Sequence, residues 1–161
     1  MITVLMGVAG SGKTTVGRLL AAELGWTFLD GDDFHSPASV ARMAAGLPLT
    51  DAERLPWLAR LRELIERYIE EGRDAVLACS ALKERYRQIL LEGLPDVKLV
   101  YLRGERELLA SRLSQRQGHF FPVHLLESQL RDLEEPVSAV TVDVTGSPAQ
   151  IVAAIRAALS R

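Results

Sequence analysis

Ile2-Thr3-Val4-Leu5-Met6-Gly7-Val8-Ala9-Gly10-Ser11-Gly12-Lys13-Thr14 stands at the head of the chain, and its reading decides the fold. The uncharged, β-branched start predicts a buried strand over 2–6, and the apolar periodicity after it predicts a helix over 13–24. Between them lies a Walker A pattern, two glycines around four residues and then Lys13 and Thr14. Such a turn is required where successive backbone N–H groups point inward around phosphate oxygens. Glycines allow both the backbone angles and the close approach. Phosphate contacts are therefore expected along Gly7, Val8, Ala9, Gly10, Ser11, Gly12, Lys13, Thr14 and Thr15. Lys13 is expected to reach the β- and γ-phosphates of ATP, and Thr14 to hold Mg²⁺. A chance Gly/Ser-rich turn would lack the strand before it and the amphipathic helix after it.

Downstream, short apolar runs alternate with longer periodic segments, as in a parallel sheet covered by crossover helices. Further strands are predicted over 27–30, 75–79, 98–102 and 139–144, and helices over 52–71, 82–91, 105–116, 123–133 and 148–159. Leu58, Leu61, Ile65 and Ile69 share one helix face, and Ser147-Pro148 opens the last helix with a cap and a first-turn proline. The expected architecture is α/β: a three-layer P-loop NTPase fold with a five-stranded parallel sheet flanked by helices, in a single domain over 1–161. Two stretches fit this pattern poorly. Residues 35–55 are rich in turn formers, and 115–124 are short, basic and aromatic. They are read as a substrate-side insertion over about 35–58 and a small lid over about 115–124.

Thr27-Phe28-Leu29-Asp30-Gly31-Asp32-Asp33 puts acids at the C-terminal end of a strand beside the phosphate loop, the edge where open parallel sheets bind ligands. Phosphoryl transfer to an alcohol needs a group that orients the hydroxyl and accepts its proton. Asp32 is assigned that role, Asp30 an outer-shell place near Mg²⁺, and Asp33 a cap. His35 is either a substrate contact or a partner of Asp32. Solvent-facing caps are the plain alternative for these acids.

Arg54 near the start of the long helix, and Lys83 and Arg87 four apart after the third strand, are expected on the same ligand edge, where they suit an acidic substrate. Cys79 is expected to be a buried strand-end thiol, and Trp57 a packing residue. Arg112 and Arg116, one helical turn apart, lead into Gln117-Gly118-His119-Phe120-Phe121-Pro122, and are read as a flap that carries arginine over the phosphates and excludes water. Arg112 stacking on adenine is the other reading, with Gly146-Ser147-Pro148 beside the base.

Bulk properties narrow the partners. A net charge of −2 and pI near 5.9 argue against broad attraction to nucleic acid or anionic lipid. A single cysteine leaves no disulfide framework, and the apolar runs fall short of a membrane span, so a cytoplasmic protein with no membrane or nucleic-acid partner is expected.

Together these segments closely resemble the gluconokinases, small P-loop enzymes related to shikimate kinase. The matching stretches include the phosphate loop, Leu29-Asp30-Gly31-Asp32 with His35, Met43 to Asp51, Arg54-Leu55-Pro56-Trp57-Leu58 and Cys79-Ser80-Ala81-Leu82-Lys83 with Tyr86-Arg87. They continue through Tyr101-Leu102-Arg103-Gly104, Arg112-Leu113, Arg116, Gly118-His119-Phe120-Phe121, Ser128-Gln129 and Leu133-Glu134-Glu135-Pro136. The segment after Pro136 departs from the family by lacking acidic residues before the last strand. The resemblance implies ATP-dependent phosphorylation of D-gluconate at its terminal hydroxyl, a homodimer, and a substrate contact at His119. The residues alone reach a kinase for a small anionic polyol. A shikimate-type or other sugar-acid kinase, and a non-catalytic ATP-binding regulator, are the competing readings.

Overall fold

The computed structural model describes residues 1–115 and 123–161. Five strands form one parallel sheet: β1 (Ile2–Met6), β2 (Thr27–Asp30), β3 (Ala75–Ala78), β4 (Val97–Arg103) and β5 (Val140–Asp143), in spatial order β2-β3-β1-β4-β5. The helices are α1 (Lys13–Leu24), α2 (Pro37–Ala44), α3 (Asp51–Glu70), α4 (Glu84–Leu91), α5 (Arg106–Ser114), α6 (Val123–Asp132) and α7 (Pro148–Leu159), with a 3₁₀ turn over Gly31–Phe34. Among the described residues, no helix is long and apolar enough to cross a membrane.

β1 is central and every residue in it is buried, which is why its sequence is apolar without alternation. One face of the sheet packs Val4, Leu77 and Tyr101 against Leu58, Leu61 and Ile65 of α3 and Leu90 of α4. The other packs Leu5, Val76 and Val100 against Val16 and Leu20 of α1 and Ile151 and Ile155 of α7. A third, smaller core joins Val8 of the phosphate loop to Leu109 and Leu113 of α5 and Leu126 of α6. The chain turns from β1 to neighbours on opposite sides, so a crevice opens at the strands' C-terminal ends, where α/β sheets take ligands.

The strands 2–6 and 27–30 and the helices 13–24 and 148–159 stand where the sequence predicts them. Two expectations are corrected. The turn-rich stretch after β2 contains a helix, α2, capped by Ser36 Oγ accepting the Ser39 N–H at 3.1 Å, with Pro37 in its first turn. The helix expected from 82 starts at Glu84, because after a left-handed Ala81 at φ 44° the chain is still extended at Lys83, the N-cap, with φ −100° and ψ 146°.

Candidate active site

The phosphate loop is the turn from β1 to α1. Gly12 is the N-cap of α1 at φ 93° and sets no capping side chain over the start of the helix, the end that favours an anion. Gly10, at φ 80°, lies so close to α5 that a Cβ would stand 2.8 Å from the Leu109 carbonyl oxygen. Lys13 curls back over the loop, and its Nζ donates to the carbonyls of Gly7 at 2.9 Å and Val8 at 3.2 Å.

The acids follow β2. Asp30 Oδ1 accepts the Asp32 N–H at 3.0 Å and so caps the 3₁₀ turn. Burial pushes the Asp30 carboxyl above its ordinary range, the nearby Asp32 and Asp33 charges add to this, and Lys13 opposes it. Between them Gly31 has no room for a side chain, since a Cβ would meet the Ala78 carbonyl at 2.7 Å. Trp57 Nε1 donates to the Gly31 carbonyl at 2.7 Å, and His35 stacks on the Trp57 ring with centroids 4.2 Å apart. That stack sets His35 Nε2 3.7 Å from Asp32 Oδ1. The imidazole is 5% exposed and the Asp32 carboxylate 80%, so the histidine is a fixed neighbour and the carboxylate is the group within a ligand's reach.

These parts meet in one cleft of about 330 Å³, lined by Gly10, Gly12, Lys13, Thr14 and Thr15 on one side and Asp30, Asp32, His35 and Arg54 on the other. Arg54 is buried. It donates to the Leu49 carbonyl at 3.4 Å and lies 5.4 Å from the centre of the Tyr86 ring, and neither partner neutralises its charge. Arg112 reaches the cleft from α5 and is tied to the carbonyls of Val144 and Gly146, which places it against the loop after β5. Cys79 is buried at the end of β3, and burial pushes its thiol up to about 12.

Two predicted substrate contacts have protein partners outside the cleft lining. Neither Lys83 nor Arg87 is among the residues that line the cleft. Lys83 binds Asp51 at 3.2 Å, and Asp51 also accepts from Arg85 at 2.8 Å and from the Tyr86 hydroxyl. This knot holds the start of α3, and with it Arg54, against α4. The Tyr86 hydroxyl first and Lys83 second hold the Asp51 carboxyl below its ordinary range.

Arg87 is buried and donates to the carbonyls of Ala81 at 2.8 Å, Leu82 at 3.0 Å and Glu134 at 2.8 Å. It shapes the turn after β3 rather than facing a ligand. Arg87→Met leaves the buried turn without the donor to the Ala81 and Glu134 carbonyls and is expected to destabilise the fold by about 3 kcal/mol. Thermal unfolding should register this as a fall in Tm of about 6–12 °C. Arg116 and His119 lie outside the described residues.

Met43, Leu47, Pro48 and Leu49 form a cleft wall within the stretch expected as a substrate-side insertion, though the sequence singles out none of them, and a second wall of Leu125, Ser128 and Gln129 from α6 is not expected from it. The His124 ring joins the two walls, with Nε2 at 2.6 Å from the Gly46 carbonyl oxygen.

The donor set fits Mg²⁺ that arrives with a nucleotide. Among the described residues no group of three or more His, Cys, Asp or Glu side chains could hold a metal. Thr14 and Asp30 do face the cleft, and Mg²⁺ is commonly held by one or two protein oxygens plus phosphates. The raised Asp30 carboxyl is one that a cation would hold ionised.

Known proteins are similar to this chain over most of its length. Residues 2–136 match the AAA domain family. A probable gluconokinase of Mus musculus is 43% identical over 178 residues, covering 98% of this chain and 97% of that protein. A sugar kinase from Janibacter sp. HTCC2649 superposes with a TM-score of 0.91 at 42% identity, covering 99% of this chain and 94% of that one. A gluconokinase from Sinorhizobium meliloti 1021 gives a TM-score of 0.87 at 42% identity, over 99% and 91%. With a phosphate loop, an acidic edge and a buried arginine around one cleft, and relatives alike over nearly its whole length, the chain belongs to the gluconokinase family of P-loop kinases.

Proposed function

We propose that the cleft transfers the γ-phosphoryl group of ATP, bound with Mg²⁺, to the terminal hydroxyl of D-gluconate, giving 6-phospho-D-gluconate and ADP. The observation that carries this reading is a buried, charged Arg54 in the same cleft as the phosphate loop and Asp32. A sugar acid has the carboxylate that Arg54 would bind and the hydroxyl that Asp32 would orient.

Lys13 and the loop amides, apart from that of Ala9, which donates to Gln129 Oε1, hold the triphosphate. Thr14 and Asp30 would hold Mg²⁺, which when bound neutralises charge on the β- and γ-phosphate oxygens. Asp32 accepts the hydroxyl proton as the new oxygen–phosphorus bond forms and the bond from the γ-phosphorus to the bridging oxygen breaks. Trp57 and His35 keep the turn carrying Asp32 in place. Met43, Leu47, Pro48 and Leu49 shield the acceptor from water, the competing nucleophile. A lid that includes Arg116 and His119 belongs to the same reading.

Arg54→Ala is expected to raise KM for gluconate by about 10–100-fold, the value of a charge-assisted hydrogen-bonding group, with KM for ATP within about twofold. A panel of gluconate, other aldonic acids and shikimate in a coupled ADP-release assay tests the substrate. Gluconate should be turned over best, and turnover of shikimate without gluconate would overturn the assignment. Light scattering tests the homodimer that the resemblance implies, with an expected mass of about twice 17.7 kDa.

A further inference from the structure

Helix α6 makes contacts on both sides of the cleft that no motif assigns. Leu126 and Leu130 pack into the core beneath it with Val8, Leu109 and Leu113, which turns Leu125, Ser128 and Gln129 toward the cleft. Gln129 Oε1 accepts the Ala9 N–H at 2.7 Å. A backbone N–H only donates, so this bond fixes which end of the carboxamide faces the loop.

Ala9 stands at the β/γ end of the phosphate loop. The lysine of such a loop reaches the β- and γ-phosphates, and Lys13 Nζ rests on the Gly7 and Val8 carbonyls, the second of which belongs to the same peptide group as the Ala9 nitrogen. On the acceptor side, the same helix is joined through His124 to Gly46, beside Leu47, Pro48 and Leu49. Just past its end, the Glu134 N–H donates to the Leu82 carbonyl at 2.8 Å. Gln129 thus sits on a helix anchored to both sides of the reaction.

A loop amide bonded to a side chain is withdrawn from phosphate. Gln129 withdraws the Ala9 donor and, with Oε1 engaged, has its Nε2 donor pair left to offer the cleft. We propose that Gln129 is a ligand of the phosphoryl group being transferred: Oε1 holds the front of the phosphate loop through Ala9, and Nε2 donates to the terminal phosphate of the nucleotide. The proposal rests on reading the cleft as a phosphoryl-transfer site.

The test is calorimetric titration of the wild type, Gln129→Ala and Gln129→Glu with ADP and with a β,γ-imido analogue of ATP, both with Mg²⁺, alongside turnover of gluconate. Gln129→Ala should weaken the analogue by about 5–20-fold and ADP by no more than about twofold, because only the analogue has the terminal phosphate. Gln129→Glu keeps an acceptor for the Ala9 N–H, so the loop is retained, but it sets a carboxylate against phosphate oxygens. Its analogue affinity should fall further than that of the alanine variant, and it decides the matter if the alanine variant does not fold. Equal losses for ADP and the analogue, no loss of either, or a glutamate variant that binds the analogue like the wild type would overturn the proposal. Wild-type protein that leaves gluconate unphosphorylated would overturn the proposed function instead, so the two failures are distinguishable.

Discussion

Asp32→Asn is expected to slow phosphorylation of gluconate by about 10²–10⁴-fold, the usual worth of a positioned general base, while affinity for Mg·ATP stays within about twofold. The substitution is nearly isosteric and removes the negative charge and with it the ability to take a proton. It should leave the fold intact, because the 3₁₀ turn is capped through the Asp32 backbone N–H onto Asp30, and its carbonyl side is held by Trp57 on Gly31. The carboxylate is well exposed at the cleft while its histidine neighbour is buried, so the variant loses the group that meets the acceptor and keeps the group behind it. Single-turnover rates together with calorimetric ATP binding make the check. A rate within about threefold of wild type would remove Asp32 from the mechanism.

Lys13→Met should lower kcat/KM for ATP by about 10²–10³-fold, because it deletes a cation aimed at charge that shifts during transfer. Methionine keeps much of the stem, so the comparison isolates the ammonium. The ammonium also donates to the Gly7 and Val8 carbonyls, and these bonds add about 1 kcal/mol to the stability of the loop. Thermal unfolding therefore accompanies the kinetics, and the expected outcome is a large kinetic loss on a nearly unchanged Tm. Lys13→Arg should rescue little, since a planar fork does not replace a compact point charge at a site shaped by backbone. A methionine variant within tenfold of wild type would contradict the assigned role of Lys13.

What the sequence discloses, and what it hides, follows from the range of the forces involved. The phosphate loop, the first two strands and the terminal helix are set by local signals: glycine spacing, β-branched runs, and a cap followed by proline. Helix α2 has the same Ser-Pro opening as α7, yet Ser39, Gly46 and Pro48 in and after it read as turn material, and the turn that follows it is tied to α6 through His124 on the Gly46 carbonyl. The start of α4 is hidden for another reason. Nothing local marks Ala81 as left-handed, and its carbonyl is held by Arg87 from six residues on.

Spacing alone also cannot say which way a helix face turns. Lys83 and Arg87 are four apart as a ligand-binding pair would be, but Asp51, 32 residues before Lys83, and the Glu134 carbonyl, 47 after Arg87, claim them. Arg54 is the reverse case. The sequence expects it on the ligand edge with the other two, and it is the one that lines the cleft, buried and set over the Tyr86 ring. Gln129 carried no chemical signal of its own, since a glutamine is noteworthy only once its partner is seen to be a phosphate-loop amide.

One reaction in one cleft is at stake, and ³¹P NMR of the purified protein mixed with ATP, Mg²⁺ and gluconate follows it atom by atom. The predicted result is loss of the γ-phosphorus signal matched by a new phosphomonoester coupled to the terminal CH₂ of gluconate, with ADP formed in equal amount. A spectrum that shows only inorganic phosphate, or no change in the presence of all three, would contradict it.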